Sequence, residues 1–320
     1  MRAAVLHEYG VPRAGEFEAP TAGPDEAVVQ VLAAGVNPVD ISLSAGRFYA
    51  GKPPLPSVPG REGVGLLAGR RVYFDVPIVP FGSMAERTLI DPRSTYPVPD
   101  DVDDGVAVAL GISGLTAWLA LSWGAQLARG EHVLVLGATG VVGQIAVQAA
   151  KLLGAARVVA AARSAEALER LSTRGADACV RLEPGEDLPA AFSEAAGGRI
   201  DVVIDPLFGE PFAAAVEAAS FKARLVHLGT SAGAQATLPS AAIRGKMLVI
   251  MGLSYAAAPP DTKRAGYEWL IGAAARGELS VEVEALPLER VAEAWQRVEA
   301  GAHRKIVLVP ATPAQEGDDR

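Results

Sequence analysis

The stretch HVLVLGATGVVGQIAVQAAKLLGA, residues 132–155, decides the fold. Val133, Leu134, Val135 and Leu136 form a short apolar run suited to a strand buried on both faces. Ala138, Gly140 and Gly143 follow in the spacing of a G-x-G-x-x-G turn, with alanine in the first place. Gly140 lets the backbone approach a pyrophosphate, and Gly143 lets the next helix pack close to the sheet. That helix, expected over 141–153, points unpaired N–H groups and its positive dipole end at the phosphates, so Thr139, Val141 and Val142 join the candidate contacts. The reading is strand, glycine turn, helix, and a dinucleotide site.

The segment after the helix bears on which dinucleotide. Residues 156–162 (ARVVAAA) complete a βαβ unit as its second strand. About 20 residues beyond the turn, a chain selective for NAD carries an acid for the ribose 2′-hydroxyl. Arg163 and Ser164 stand there instead. A guanidinium pairs bidentately with a 2′-phosphate and a hydroxyl adds a bond, so NADPH is expected rather than NADH. The alternative is a solvated Arg163 with Glu166 on the ribose.

Composition narrows the class. The 320 residues are half hydrophobic but only 6% aromatic, so the core is expected to be built from Ala, Val and Leu. Two domains are the better expectation at this length. The formal charge of −8 and the lack of a basic run argue against nucleic acid or anionic membranes as partners. The opening MRAAVLHEYG has no long apolar region, no stretch approaches 18 uninterrupted apolar residues, and the single Cys179 has no partner for an internal disulfide. A cytoplasmic location is expected, with Cys179 as a small apolar strand residue.

Strand-like patterns at 3–7, 27–33, 71–75 and 83–90 make the first part β-rich. A helix is expected over 107–121. Strands and helices then alternate, with later strands at 201–205, 224–228 and 246–251 and helices at 165–174 and 211–219. Alternation of this kind implies a parallel sheet covered by helices, hence an α/β fold class. Helices at 264–276 and 288–299 precede a last strand, 305–309, and a polar tail, 311–320, expected to be disordered.

Several stretches occur together in order: AAGVNPVD (33–40), LPSVPGREGVG (55–65), GSMAE (82–86), GISGLTAWLAL (111–121) and the glycine turn. As a set they resemble the zinc-independent quinone oxidoreductases of the medium-chain dehydrogenase/reductase superfamily. The resemblance implies a GroES-like β-rich catalytic domain, residues 1–112 and 257–320, and a Rossmann doubly wound parallel-sheet domain, 113–256, with the active site in a cleft between them. By motif, the zinc ligands of metal-dependent relatives fall on Asn37, Arg61 and Ile112, which are not a thiolate, imidazole or carboxylate set. His7, His132, His227 and His303 are scattered and show no ligand spacing. No metal is expected.

Without a metal the chemistry rests on positioning. The resemblance implies hydride transfer from NADPH to a quinone, an enone or another electrophilic small molecule, with a hydrogen-bond donor at the oxygen where charge develops. It places Asn37 and Asp40 in the cleft, Asn37 as amide donor to the acceptor oxygen or the nicotinamide ribose, and Asp40 orienting its neighbours. Both also suit an ordinary turn. Better-known members carry tyrosines where this chain has Ser42 and Phe48; Tyr49, one place on, is the candidate proton donor, with water as the other source, and Phe48 a candidate substrate contact. Arg61, if it faces the cleft, favours an acceptor bearing carboxylate or phosphate; its alternative is an ion pair with Glu62 or another acid.

Thr116 matches a family position near the nicotinamide. Leu228, Gly229, Thr230 and Ser231 follow one Rossmann strand, and Leu253 and Ser254 another, where ligands bind outside the strand ends. Lys305 is a candidate for the 2′-phosphate or the cleft. Between Gly65 and Gly69 a strand-rich insert of the family is missing, which shortens a hairpin and suits a bulkier or carrier-bound acceptor. A short-chain dehydrogenase reading fits GATGVVG, but that motif belongs at an N-terminus and no tyrosine here opens a Tyr-x-x-x-Lys pair. A non-catalytic NADPH-binding protein, like the zeta-crystallins, is the remaining alternative. The apolar strand 246–251 is expected at a Rossmann edge that pairs in a homodimer.

Overall fold

The computed structural model describes residues 1–310; the tail singled out above lies outside the described residues. The chain divides into two compact units: residues 1–112, 271–275 and 281 onward, and residues 113–270 with 276–280.

The first unit is a β-rich body. β1 (Arg2–Val5) and β2 (Arg13–Glu16) pair antiparallel. β3 (Ala27–Gly35) leads into α1 (Pro38–Ser44), then β4 (Glu62–Leu67), β5 (Arg70–Asp75), β6 (Arg87–Ile90) and β7 (Thr95–Pro97). Only 87–90 of the expected strand 83–90 is regular. β4 and β5 turn through Ala68 and Gly69, both at positive φ, a two-residue hairpin where an insert was expected to be missing. A seven-stranded sheet runs β14-β15-β3-β4-β5-β7, with β6 also on β3, so β14 (Val283–Pro287) and β15 (Lys305–Val309) from the far end of the chain join strands from its start. Trp295, on α10 (Val291–Glu299), fills its core with Val29, Phe74 and Ile306. The expected helix 288–299 is a 3-10 turn, Leu288–Arg290, followed by α10.

The helix expected over 107–121 is longer and interrupted. The run Asp104–Gly124 contains α2 (Asp104–Ala109) and α3 (Leu115–Leu119), and Gly111 at ψ −118 breaks it between them. A Cβ at Gly111 would stand 2.2 Å from the Tyr73 ring, so only glycine lets the two meet. By length and composition this run passes for a membrane span, but 72% of its apolar window is buried in protein, as for a core helix.

The second unit is a six-stranded parallel sheet ordered β10-β9-β8-β11-β12-β13: β8 (His132–Leu136), β9 (Arg157–Ala162), β10 (Ala178–Arg181), β11 (Val202–Asp205), β12 (Arg224–His227) and β13 (Val249–Gly252). Counted along the chain this is 3-2-1-4-5-6, the doubly wound order whose switch point lies between β8 and β11. α4 (Val141–Leu152), α5 (Ala165–Ser172), α6 (Leu188–Ala195) and α7 (Gly209–Ala218) connect the strands, and Phe192 and Phe212 pack against Leu134 and Val203. The last strand starts three residues later than expected from 246–251, because α8 (Ser240–Gly245) ends there and Met247 takes a left-handed conformation. α9 (Pro260–Ala275) belongs to this unit through Leu270.

Candidate functional site

In the first unit, a buried polar network gathers at the end of β3. Asn37 caps α1: its backbone N–H donates to Asp40 Oδ2 at 2.8 Å. Its side-chain amide donates to Asp40 Oδ2 at 3.2 Å and to Glu62 Oε1 at 2.9 Å. Lys305, at the start of β15, donates from Nζ to Asn37 Oδ1 at 2.6 Å and to Glu62 Oε1 at 2.7 Å. Glu62 Oε2 accepts the Tyr73 hydroxyl at 2.9 Å and the Ile112 backbone N–H at 2.6 Å. The break at Gly111 lies one residue before Ile112, so the interruption of the helix and the turning of a backbone donor onto Glu62 occur together. Lys305 is 2% exposed and Glu62 fully buried, and such a pair persists only with its remaining hydrogen-bonding capacity filled.

This geometry corrects two sequence expectations. An ammonium only donates and a carboxylate only accepts, so the Asn37 amide has one possible orientation. Both of its hydrogens go to Asp40 and Glu62, leaving none for an acceptor oxygen or a ribose; Asn37 is a bridge. Lys305 is no reachable cation for a 2′-phosphate, because its ammonium is buried against Asn37 and Glu62. Glu62 and Tyr73 are the partners sequence reasoning did not assign. The visible signal was a glutamate opening an apolar strand, EGVGLL, which needs a buried partner.

Asp40 completes the network differently. Its Oδ2 takes the backbone N–H and one side-chain hydrogen of Asn37, while Oδ1 is buried with no partner. Burial pushes its carboxyl up to about 7, with the nearby Glu62 charge acting the same way and Asn37 and Lys305 opposing. Phe48 and Tyr49 stack on each other with ring centres 4.4 Å apart, and Tyr49 is 81% exposed, outside this network. The Arg61 side chain is partly buried and makes no hydrogen bond or ion pair with any described residue; the alternative of an ion pair with Glu62 or another acid is not formed, and Glu62 takes Lys305.

In the second unit, the turn after β8 presents an open helix end. Gly140 is the N-cap of α4, and the first intrahelical donor is Gln144 N–H to Gly140 at 2.9 Å. The N–H groups of Val141, Val142 and Gly143 have no acceptor among the described residues. A Cβ on Gly143 would lie 2.5 Å from the Gly137 carbonyl and 2.6 Å from Ala138 Cα, so the helix packs on the turn only with glycine there. Ala138 is buried and its N–H is bound to Ala161 on β9 at 3.0 Å; the left-handed residue of the turn is Gly137. Thr139 is buried and its carbonyl accepts from Gln144.

Arg163 follows β9 directly, exposed and with no side-chain partner among the described residues. The Ser164 hydroxyl caps α5, accepting from Ala167 N–H at 3.2 Å, and Glu166 is tied to Arg170. Leu228, Gly229, Thr230 and Ser231 follow β12, and Leu253 and Ser254 follow β13, so all six stand at the carboxyl edge of the sheet; Thr116 lies on α3 of the same unit. Among the described residues no group of three or more His, Cys, Asp or Glu side chains is placed to hold a metal ion.

A GroES-like β body and a doubly wound parallel sheet in one chain define the medium-chain dehydrogenase/reductase class. The alcohol dehydrogenase GroES-like domain family matches residues 23–72, and the zinc-binding dehydrogenase family matches 141–270. The chain is 33% identical over 261 residues to quinone oxidoreductase-like protein 2 of Rattus norvegicus, covering 79% of this chain and 74% of that protein. It is 31% identical over 230 residues to the chloroplastic NADPH-dependent alkenal/one oxidoreductase of Arabidopsis thaliana, covering 65% and 57%. The solved quinone oxidoreductase of Thermus thermophilus, described with its NADPH complex, superposes with a TM-score of 0.83 at 28% identity, over 97% of this chain and all of that one. The chain belongs to the quinone oxidoreductase family of the medium-chain dehydrogenases/reductases, a family of oxidoreductases.

Proposed function

We propose that this protein is an NADPH-dependent reductase of a conjugated alkene or a quinone, working without zinc. The observation that carries the reading is the pairing, in one unit, of three unused N–H groups at the start of α4 with an unpartnered Arg163 at the end of the next strand. The first suits a pyrophosphate and the second a 2′-phosphate. The helix end would hold the diphosphate, Arg163 the ribose phosphate, and the loops at 228–231 and 253–254 the nicotinamide half. Bound there, NADPH supplies a hydride to an electron-poor carbon. The metal-free reading is supported by Asn37, Arg61 and Ile112, none of which is a zinc ligand of the usual kind.

The decisive measurement is catalytic efficiency with NADPH and NADH before and after Arg163→Ala. We expect NADPH to be preferred and the preference to fall at least tenfold in the variant, with NADH turnover unchanged. An NADH preference in the wild type would overturn the reading.

The unpartnered Arg61 guanidinium favours an acceptor carrying a carboxylate or phosphate, such as an enoyl thioester of a phosphate-bearing carrier, over a plain quinone. Oxidation of NADPH followed against quinones, enones and enoyl thioesters separates these, and tight binding without oxidation of any would favour a non-catalytic role. β13 is the outer strand of the parallel sheet and leaves Val249 46% and Ile250 36% exposed, which supports a homodimer formed by pairing of that edge. Light scattering at micromolar concentration should give twice the chain mass of 33.0 kDa.

A further inference from the structure

Two ionisable side chains at the carboxyl edge of the parallel sheet take no part in the site described above. Asp205 ends β11, fully buried, and His227 ends β12 directly opposite it. Asp205 divides its oxygens between two elements. Oδ1 accepts the backbone N–H groups of Leu207 and Phe208, each at 2.9 Å. Oδ2 meets His227 Nδ1 at 2.9 Å. Oδ1, holding two donors, is an acceptor, and a single hydrogen joins Oδ2 to Nδ1. Burial raises the Asp205 carboxyl above the usual range, and the bonds from Phe208, His227 and Leu207 work against that rise. His227 Nε2 has no partner among the described residues.

The turn that Asp205 holds is a costly one. Phe208 stands at φ +58 and ψ −159, a region nearly reserved for glycine and strained for other residues. Its ring lies 4.5 Å from the His227 ring and 5.3 Å from Phe212. The loop after β12 is then laced onto this turn. Leu228 N–H donates to Asp205 O at 2.7 Å, Ser231 N–H to Pro206 O at 3.2 Å, and Ala232 N–H to Leu207 O at 2.8 Å. Every backbone bond in that lacing ends on the segment Asp205 organises.

We propose that Asp205 and His227 form a latch that positions the loop 228–231 to receive the nicotinamide half of the coenzyme. The proposal rests on the reading that these strand ends bind a dinucleotide. His227 is a positioning residue: it acts through the loop it precedes. β11 contributes Asp205, α7 contributes the Phe208 and Phe212 rings, and β13 contributes Gly252; Arg224 on its own strand is engaged by Glu131.

The test compares wild type, His227→Phe and His227→Gln. Phenylalanine keeps the ring among Phe208 and Phe212 but leaves Asp205 Oδ2 unpaired; glutamine keeps a hydrogen-bonding side chain. NADPH affinity is measured by coenzyme fluorescence, and amide exchange of residues 228, 231 and 232 is measured without coenzyme. We expect about tenfold weaker binding and faster loop exchange in His227→Phe, and recovery to within about threefold in His227→Gln. Wild-type affinity and exchange in His227→Phe would overturn the latch while leaving the coenzyme reading intact. A wild type that binds no dinucleotide would overturn both.

Discussion

The two units treat their polar groups in opposite ways. At the end of β3 the Asn37 and Glu62 side chains are saturated by each other, Lys305, Asp40, Tyr73 and Ile112. At the start of α4 the N–H groups of Val141, Val142 and Gly143 have no described partner, and Arg163 has none either. Buried polar groups cost several kcal/mol unless bonded, so the first arrangement is a finished piece of structure. Exposed donors aimed from a helix end are unfinished until an anion completes them. The contrast separates residues that hold the fold from residues that wait for a ligand, and it moves Asn37 and Lys305 from the second group to the first.

The sharpest way to break this comparison is to remove the cation from the finished side. Lys305→Met leaves the Glu62 charge buried with three donors and no counter-ion. We expect a loss of about 3–5 kcal/mol, read from chemical denaturation. The double variant Lys305→Met with Glu62→Gln should recover most of it, because no buried charge is then left alone. A Lys305→Met protein as stable as wild type would show that the network is open to solvent.

Asp40 sharpens the comparison, since it is the one member of the network with an idle oxygen. Its carboxyl titrates near 7 in the fold, against about 3.9 in an unfolded chain. Below about pH 4 both states are protonated and nothing is lost. Between about pH 4 and 7 the unfolded chain ionises while the native one keeps its proton, so native binds more protons and stability falls as pH rises. Above about pH 7 the cost is complete, roughly 4 kcal/mol for three pKa units. Asp40→Asn cannot ionise, so its stability relative to wild type should climb by up to this amount between pH 4 and 8. Parallel denaturation curves at both pH values would remove the claim.

On the open side, Gly143→Ala pushes a methyl group into the Gly137 carbonyl and the Ala138 backbone, neither of which is a flexible side chain. The start of α4 must move away from the turn. We expect NADPH binding to weaken about a hundredfold, measured by titration, while the Lys305 network is untouched.

How far the sequence alone reaches differs between the two regions for the same reason that they differ physically. The strand–turn–helix of 132–155 is local: periodicity and glycine spacing lie within one continuous stretch, and the structure places β8, the turn and α4 there. The finished network is not local. Lys305 lies 243 residues from Glu62 and 268 from Asn37 along the chain. Only the sheet order β15-β3-β4 brings them together, and no spacing rule encodes that order. Asn37 and Asp40 were legible as a motif, but whether the amide donates outward or inward depends on two partners arriving from other strands. Residue type marked the place; topology decided the role.

The smallest effect tests how finished the network is. Tyr73 is fully buried, its hydroxyl donates to Glu62 Oε2, and its ring presses on Gly111. Tyr73→Phe keeps the ring, and with it the contact that requires glycine, while removing one hydrogen bond to a charged group. Such bonds are worth about 1.5–3 kcal/mol, and Ile112 N–H still serves the same oxygen, so a loss at the lower end, about 1.5 kcal/mol, is expected in denaturation midpoints. Because Tyr73 lies on the saturated side, NADPH affinity should stay within twofold of wild type. A Tyr73→Phe protein that kept its stability and lost coenzyme would reverse the assignment of the two regions, making the network at the end of β3 the part that waits for a ligand.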